Sequence, residues 1–172
     1  MLKQRIITAL LLLAVLLPAV FYPKPEVFAG VAVVLIAAAA WEWARLNACG
    51  PTASLLLGGV CAAACLVSWY AGLLYTPLQA LWLVMGSAWV VFGAWLLHGG
   101  VKVWPGVPRV LRLAGGIFAL WVAWLAVAQA RARGINFLFS VLVLVWAADI
   151  FAYFAGRALG GRFRSEERRV GK

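Results

Sequence analysis

A chain of 172 residues that is 66% hydrophobic and 12% charged would expose too much apolar surface as a soluble domain. Its mean hydropathy of +1.00 places it in a bilayer, and its formal charge of +10 comes from bases that punctuate apolar runs. Because those bases form no single patch, the charge does not point to nucleic acid.

In chain order, Met1 to Arg5 is a short basic leader before an apolar run from Ile6 to Tyr22. No small-x-small cleavage site follows and Pro18 lies within the run, so it reads as an uncleaved first span and not as a signal peptide. Pro23 to Glu26 connects it to a second span from Val27 to about Trp43. Asn47 to Ser54, carrying Gly50-Pro51, reads as a loop. A third span runs from about Leu55 to Leu74 and a fourth from about Leu78 to Leu97, with Tyr75-Thr76-Pro77 as the turn between them. His98 to Arg112 is the one substantial polar connection. Leu113 to Gln129 forms a fifth span, Ala130 to Gly134 a short basic turn, and Ile135 to about Ala155 the sixth. A run of about 20 residues at 1.5 Å each covers the roughly 30 Å hydrocarbon layer. The expected fold is therefore all-α, a polytopic transmembrane helical bundle of about six spans.

Orientation follows from the bases. With the N-terminus in the cytoplasm, that side receives Lys3, Arg5, Arg45, Lys102, Arg109, Arg112, Arg157, Arg162 and Arg164, and the other side only Lys24, Arg131 and Arg133. Both termini are thus expected to be cytoplasmic. Glu42 can pair with Arg45 one turn on, which accounts for it without chemistry. Cys61 and Cys65 lie one turn apart in an apolar run, where thiols serve as small packing residues. No acid or histidine lies near them in sequence to complete a metal site.

The stretch from Val143 to Phe163 differs from the rest. Asp149 stands in a segment apolar enough to cross a bilayer, where a carboxylate costs roughly 2.5 to 3.5 kcal/mol. On a helix, Trp146, Asp149, Tyr153 and Gly156 share one face, with Arg157 two turns beyond the carboxylate. Asp149 is expected about six residues, or about 9 Å, from the helix end. Gly156, Gly160 and Gly161 should loosen the backbone there, and Arg157 and Arg162 add positive charge, a place suited to a phosphate. The bland account of Asp149 is a polar residue that joins helices through Tyr153 or a neighbouring span. For Arg157 it is a topology anchor.

The pattern Asp149-x-x-Ala152-Tyr153-x-x-Gly156-Arg157-x-x-Gly160, preceded by Val145-Trp146-Ala147-Ala148, resembles the middle of phosphatidate cytidylyltransferases (CDP-diacylglycerol synthases). Met1-Leu2-Lys3-Gln4-Arg5-Ile6-Ile7-Thr8-Ala9 resembles the start of bacterial members, and Ala39-Ala40-Trp41-Glu42-Trp43 their second membrane segment. The resemblance spans residues 1 to about 163 and marks this part as the N-terminal membrane part of that fold. It implies a bacterial inner-membrane enzyme that transfers CMP from CTP to phosphatidate, with Mg2+ as cofactor. It also implies that Asp149 faces the catalytic cavity and that Arg157, where many members carry lysine, and Arg162 lie near phosphate. Tyr153, Gly156 and Gly160 would support them. A homodimer is compatible with the sequence.

Two anions meet in that reaction while a third leaves, which calls for divalent metal and basic residues. Magnesium takes one or two carboxylates besides phosphates and waters. Before residue 164 the only acids are Glu26, Glu42 and Asp149, a thin supply. From Arg164 to Lys172 the character changes to Arg-Ser-Glu-Glu-Arg-Arg-Val-Gly-Lys, where the resembled family continues with a Ser-Pro-x-Lys-Thr-type stretch and later paired aspartates. The expectation is an N-terminal fragment, inactive alone, with an aberrant tail at 164–172. Two other classes fit the composition: a membrane lipid or polyprenol kinase, and a non-enzymatic polytopic protein in which Asp149 serves packing or ion passage.

Overall fold

The structure is a computed structural model that describes residues 2–99 and 106–159. Six α-helices, and no strand, occur among these residues: α1 (Leu2–Phe21), α2 (Pro25–Leu46), α3 (Pro51–Tyr70), α4 (Gln79–Gly99), α5 (Arg109–Arg133) and α6 (Ile135–Leu159). The chain divides after Ala132 into two compact units, α1 to α5 and α6. Helices α2 to α6 are each long and apolar enough to cross a membrane, and α1 carries a shorter apolar stretch, Ile6–Phe21. The all-helical fold expected from composition is present. It is that of a multi-pass membrane protein.

The helix ends follow local chemistry more closely than they follow hydropathy. Pro25 and Pro51 open α2 and α3, where the missing N–H costs nothing and φ is preset. Both helices therefore start before the apolar runs at Val27 and Leu55. Helix α3 stops at Tyr70, short of the expected Leu74, because Gly72 turns the chain at φ 77°. There the Leu73 N–H donates to the Ser68 carbonyl (3.1 Å) and the Gly72 N–H to the Trp69 carbonyl (2.9 Å), the Schellman closure of a helix C-terminus. At the other end of the chain order, α5 begins at Arg109, inside the expected connection, and runs to Arg133. The expected basic turn at Ala130 to Gly134 is thus the last turn of a helix. Gly134 alone, at φ 139°, breaks it.

In the first unit α1 packs on α2 and α2 on α3. The core gathers Ala29, Ala32 and Val33 of α2, Cys65 of α3, Leu74 of the following turn, and Trp124, Leu125 and Ala128 of α5. Leu81 and Trp82 of α4 pack against its edge. Small residues at these contacts let backbones approach where lipid supplies no hydrophobic drive. Cys61 and Cys65 are both fully buried, as their packing role requires. Gly116 is a further close approach, since a Cβ there would run into the indole of Trp43. None of α4 is buried; Leu83, Val84, Trp89, Val90 and Val91 are all exposed and suit contact with acyl chains.

A series of side-chain hydrogen bonds ties α5 to the other four helices. The Trp124 indole donates to the Ala29 carbonyl of α2 (3.1 Å), and the Trp121 indole to the Ser68 hydroxyl of α3 (2.9 Å). Gln129 donates to the Leu73 and Thr76 carbonyls (2.6 and 2.9 Å) and accepts from the Trp82 indole of α4 (3.1 Å). Arg131 donates to the Val20 and Tyr22 carbonyls at the end of α1. Those carbonyls lie beyond the reach of intrahelical donors, and Pro23 and Pro25 add no N–H in the next residues. Arg131, expected as an interfacial charge, is therefore a buried cap.

Replacement of Gly116 by Ala should destabilise the detergent-solubilised protein by about 1–3 kcal/mol through overpacking. At neighbouring Gly115 a Cβ meets nothing within 4 Å, and Gly115→Ala should stay within about 0.5 kcal/mol. Thermal denaturation of the two variants side by side checks this. In the same assay Gln129→Leu, which strands two carbonyls and an indole, should cost about 1–3 kcal/mol.

Candidate functional site

Helix α6 is continuous from Ile135 to Leu159. It therefore presents Trp146, Asp149, Tyr153 and Gly156 as one stripe, with Arg157 in its last turn. Gly156 lies inside the helix and does not end it. Asp149 consequently sits about ten residues, or roughly 15 Å, from the helix end, deeper than the 9 Å expected from the sequence. Among the described residues of α6 no hydrogen bond or ion pair joins Asp149 to Tyr153 or to Arg157. The Tyr153 ring instead meets Phe154 edge-on at 5.5 Å. Gly160, Arg162 and the 164–172 tail lie outside the described residues, so of the expected phosphate-binding residues Arg157 is the one the structure places.

A second group of polar side chains lies in the first unit, where α2 ends and α5 begins. Glu42 and Arg45 form an exposed ion pair at 3.2 Å, as their spacing requires, and the Arg45 guanidinium lies 4.9 Å from the Trp41 ring centroid. Such an exposed pair contributes only about 0.2–1 kcal/mol. The Trp43 indole donates to the Arg112 carbonyl (3.1 Å) and so fixes the end of α2 against the first turns of α5. Asn47 donates its side-chain N–H to the Trp43 carbonyl (2.9 Å). Helix α2 then closes with the Cys49 N–H on the Ala44 carbonyl (3.0 Å) and the Ala48 N–H on the Arg45 carbonyl (2.9 Å). This is the Schellman geometry again, with Ala48 at φ 59° in the position that Gly72 fills after α3. One guanidinium N–H group of Arg109 donates to the Ala48 carbonyl (2.8 Å) and lies 3.3 Å from the Cys49 sulfur.

Arg112 completes this group. Its Nε is buried without a hydrogen-bond partner, the one such side-chain atom among the described residues. A buried unsatisfied donor costs about 1–3 kcal/mol and more on a charged group. Sequence reasoning counted Arg109 and Arg112 only as bases of a polar connection. The signal that singles them out is two arginines, and no acid, in the opening turns of a helix.

At the opposite end of the unit the buried polar side chains all have partners among the described residues. There the Tyr75 hydroxyl donates to the Glu26 carboxylate, which with burial pushes the Tyr75 phenol above its usual pKa. Gln129 and Arg131 complete that end.

The described residues do not suit a magnesium ion. No three of His, Cys, Asp and Glu gather among them. Glu42 is occupied by Arg45, Glu26 by Tyr75, and Asp149 is a single carboxylate on α6. Hard-cation sites need more oxygen than that.

The sequence pattern of the cytidylyltransferase family matches residues 3–165. The chain belongs to the cytidylyltransferase family. It is 35% identical over 170 residues to a protein of Pseudomonas aeruginosa named phosphatidate cytidylyltransferase. That match covers 94% of this chain and 60% of the relative, so the chain spans less than two thirds of that protein's length. No solved structure matches it. The family match takes in all six helices, and with them both the α6 stripe and the arginine group at the start of α5.

Ala48 holds a left-handed conformation that costs a residue with a Cβ about 1–2 kcal/mol. Ala48→Gly should therefore raise stability by about 0.5–1 kcal/mol, read as an increase in melting temperature. A decrease would show that the turn is held by more than backbone conformation.

Proposed function

We propose that this chain is the N-terminal membrane part of a phosphatidate cytidylyltransferase. The observation that carries the reading is the family match from residue 3 to 165 together with 35% identity to a protein of that name. A carboxylate in the middle of an apolar helix supports it, because such a group is rare in a span that does no chemistry.

In the proposed reaction a phosphate oxygen of phosphatidate attacks the α-phosphorus of CTP. A new P–O bond forms, the bond from that phosphorus to the bridging oxygen breaks, and pyrophosphate leaves with the displaced charge. CDP-diacylglycerol is the lipid product. Asp149 faces the reacting groups, Arg157 and Arg162 lie near phosphate, and Tyr153, Gly156 and Gly160 support them. With both termini cytoplasmic in a bacterial inner membrane, these groups meet cytosolic CTP at the membrane face and phosphatidate from the leaflet. Mg2+, implied by the family resemblance, would have to draw further carboxylates from outside the described residues. No step here is routed through it.

The test is a membrane assay with radiolabelled CTP and phosphatidate, run on this chain and on a version extended through the downstream reading frame. CDP-diacylglycerol and pyrophosphate are the expected products of the extended form. Transfer of a γ-phosphate to lipid instead would make the protein a kinase and overturn the reading. Asp149→Asn in the active form should lower kcat/KM by roughly 100-fold or more, the scale of a misplaced reacting group. Full activity in that variant would remove Asp149 from the site.

A further inference from the structure

We propose that Arg109 and Arg112 form a binding site for the phosphate of an anionic phospholipid, at the membrane face where α2 ends and α5 begins. Three observations converge on it. First, the Nε of Arg112 has no partner among the described residues; that atom is closed to solvent, so a ligand would meet the terminal N–H groups of the partly exposed guanidinium. Second, no carboxylate lies within ion-pairing distance of Arg109 or Arg112 among the described residues, whereas Arg45 nearby is paired with Glu42 at 3.2 Å.

Third, both arginines sit where their own helix disfavours them. They lie three apart, on one face of the opening turns of α5, so the two like charges repel. They also lie at the positive end of the helix dipole, and the first turn contains no acid to offset it. A bound anion offsets both penalties at once. Arg109 spends one N–H group on the Ala48 carbonyl, and a guanidinium carries five N–H donors in a planar fork suited to phosphate oxygens. Its second contact is the Cys49 sulfur at 3.3 Å, and its other donors have no partner among the described residues.

The surroundings select a lipid as the source of that phosphate. Leu46, Leu55, Val110 and Leu111, at the ends of α2, α3 and α5, are all exposed and offer apolar surface beside the arginines for acyl chains. Trp41 and Trp43 stand at the same level, where indoles mark the membrane interface. A free nucleotide would meet this greasy rim with nothing to place on it. The satisfied opposite end of the unit, where Arg131 and Gln129 spend their donors on backbone carbonyls, has no comparable donor to offer. The proposal stands on the arginine pair and not on cytidylyl transfer, so either can fail without the other.

The test is native mass spectrometry of the full chain released from nanodiscs of phosphatidylcholine containing phosphatidate or phosphatidylglycerol, with CTP as a separate arm. The anionic phospholipid should be retained about 10-fold over phosphatidylcholine, a difference of about 1.4 kcal/mol. Arg112→Gln and Arg109→Gln should bring the two lipids to parity, while Arg45→Gln should leave the selectivity unchanged. Arg112→Lys keeps the charge and the helix but lacks the planar fork of terminal N–H donors, and should lose at least about half of the retention advantage. It serves in place of Arg112→Gln if that variant does not fold by circular dichroism. Parity in the unsubstituted chain, or selectivity that survives Arg112→Gln or Arg112→Lys, overturns the proposal. So does loss of CTP binding in these variants with lipid retention unchanged, which would assign the pair to the nucleotide.

Discussion

Hydrocarbon offers no hydrogen bonds, so every polar group that a membrane helix buries must find its partner inside the protein. In the first unit that constraint is met largely by α5. Its indoles, its glutamine and its Arg131 reach a carbonyl, hydroxyl or indole on each of α1, α2, α3 and α4. Apolar packing alone would hold these helices weakly, since lipid contacts an alanine face as well as another helix does. Directional bonds from one central helix give the packing a single register. The small residues Ala29, Ala32, Cys61 and Cys65 bring the backbones close enough for the indole N–H groups to reach.

The same constraint separates the two ends of the unit. At the end where α1 and α3 stop, Arg131 caps the carbonyls that end α1, Gln129 holds carbonyls of the turn after α3, and Glu26 is held by Tyr75. The hydrogen bonds of Gln129, Arg131 and Glu26 there go into closing the fold. At the end where α2 stops and α5 starts, the turn at Ala48 is left-handed without a glycine, and the buried Arg112 Nε has no partner among the described residues. Strained backbone and unspent polar groups concentrate where a protein does something other than fold.

How much of this could be read in the sequence depended on the range of the interaction. The number and order of the helices follow from apolar length, and the Glu42–Arg45 pair from helical spacing, both local properties. Burial of Cys61 and Cys65 follows from their place one turn apart in an apolar run. The residues that carry the family resemblance were equally legible, because a motif is written in one stretch. Helix ends were less so: hydropathy put the start of α2 at Val27 and the end of α3 at Leu74, while Pro25 and Gly72 set them by backbone conformation. The distance from Asp149 to the end of its helix differs from the expected one for a related reason, since Gly156 costs a helix about 1 kcal/mol without breaking it. Arg131 lay beyond sequence reasoning altogether. Its partners, Val20 and Tyr22, are carbonyls about 110 residues away, and a carbonyl leaves no mark in a side-chain pattern.

The charge balance bears on which part of the proposed chemistry this chain supplies. Cytidylyl transfer to a lipid phosphate brings anions together, and positive charge can come from metal or from side chains. The chain holds 15 lysines and arginines against five acids. Of the three acids among the described residues, two are engaged, Glu26 by a phenol and Glu42 by a guanidinium. That leaves Asp149 as the one acid without a side-chain partner among the described residues. Arg109, Arg112 and Arg157, by contrast, are set at helix ends without a carboxylate partner among the described residues. A part of an enzyme with this balance is suited to gathering and orienting phosphate groups, and poorly suited to holding a cation by itself. On the proposed reading, the contribution this stretch makes from its own side chains is the binding of anions, with Asp149 as the one acid placed to meet them.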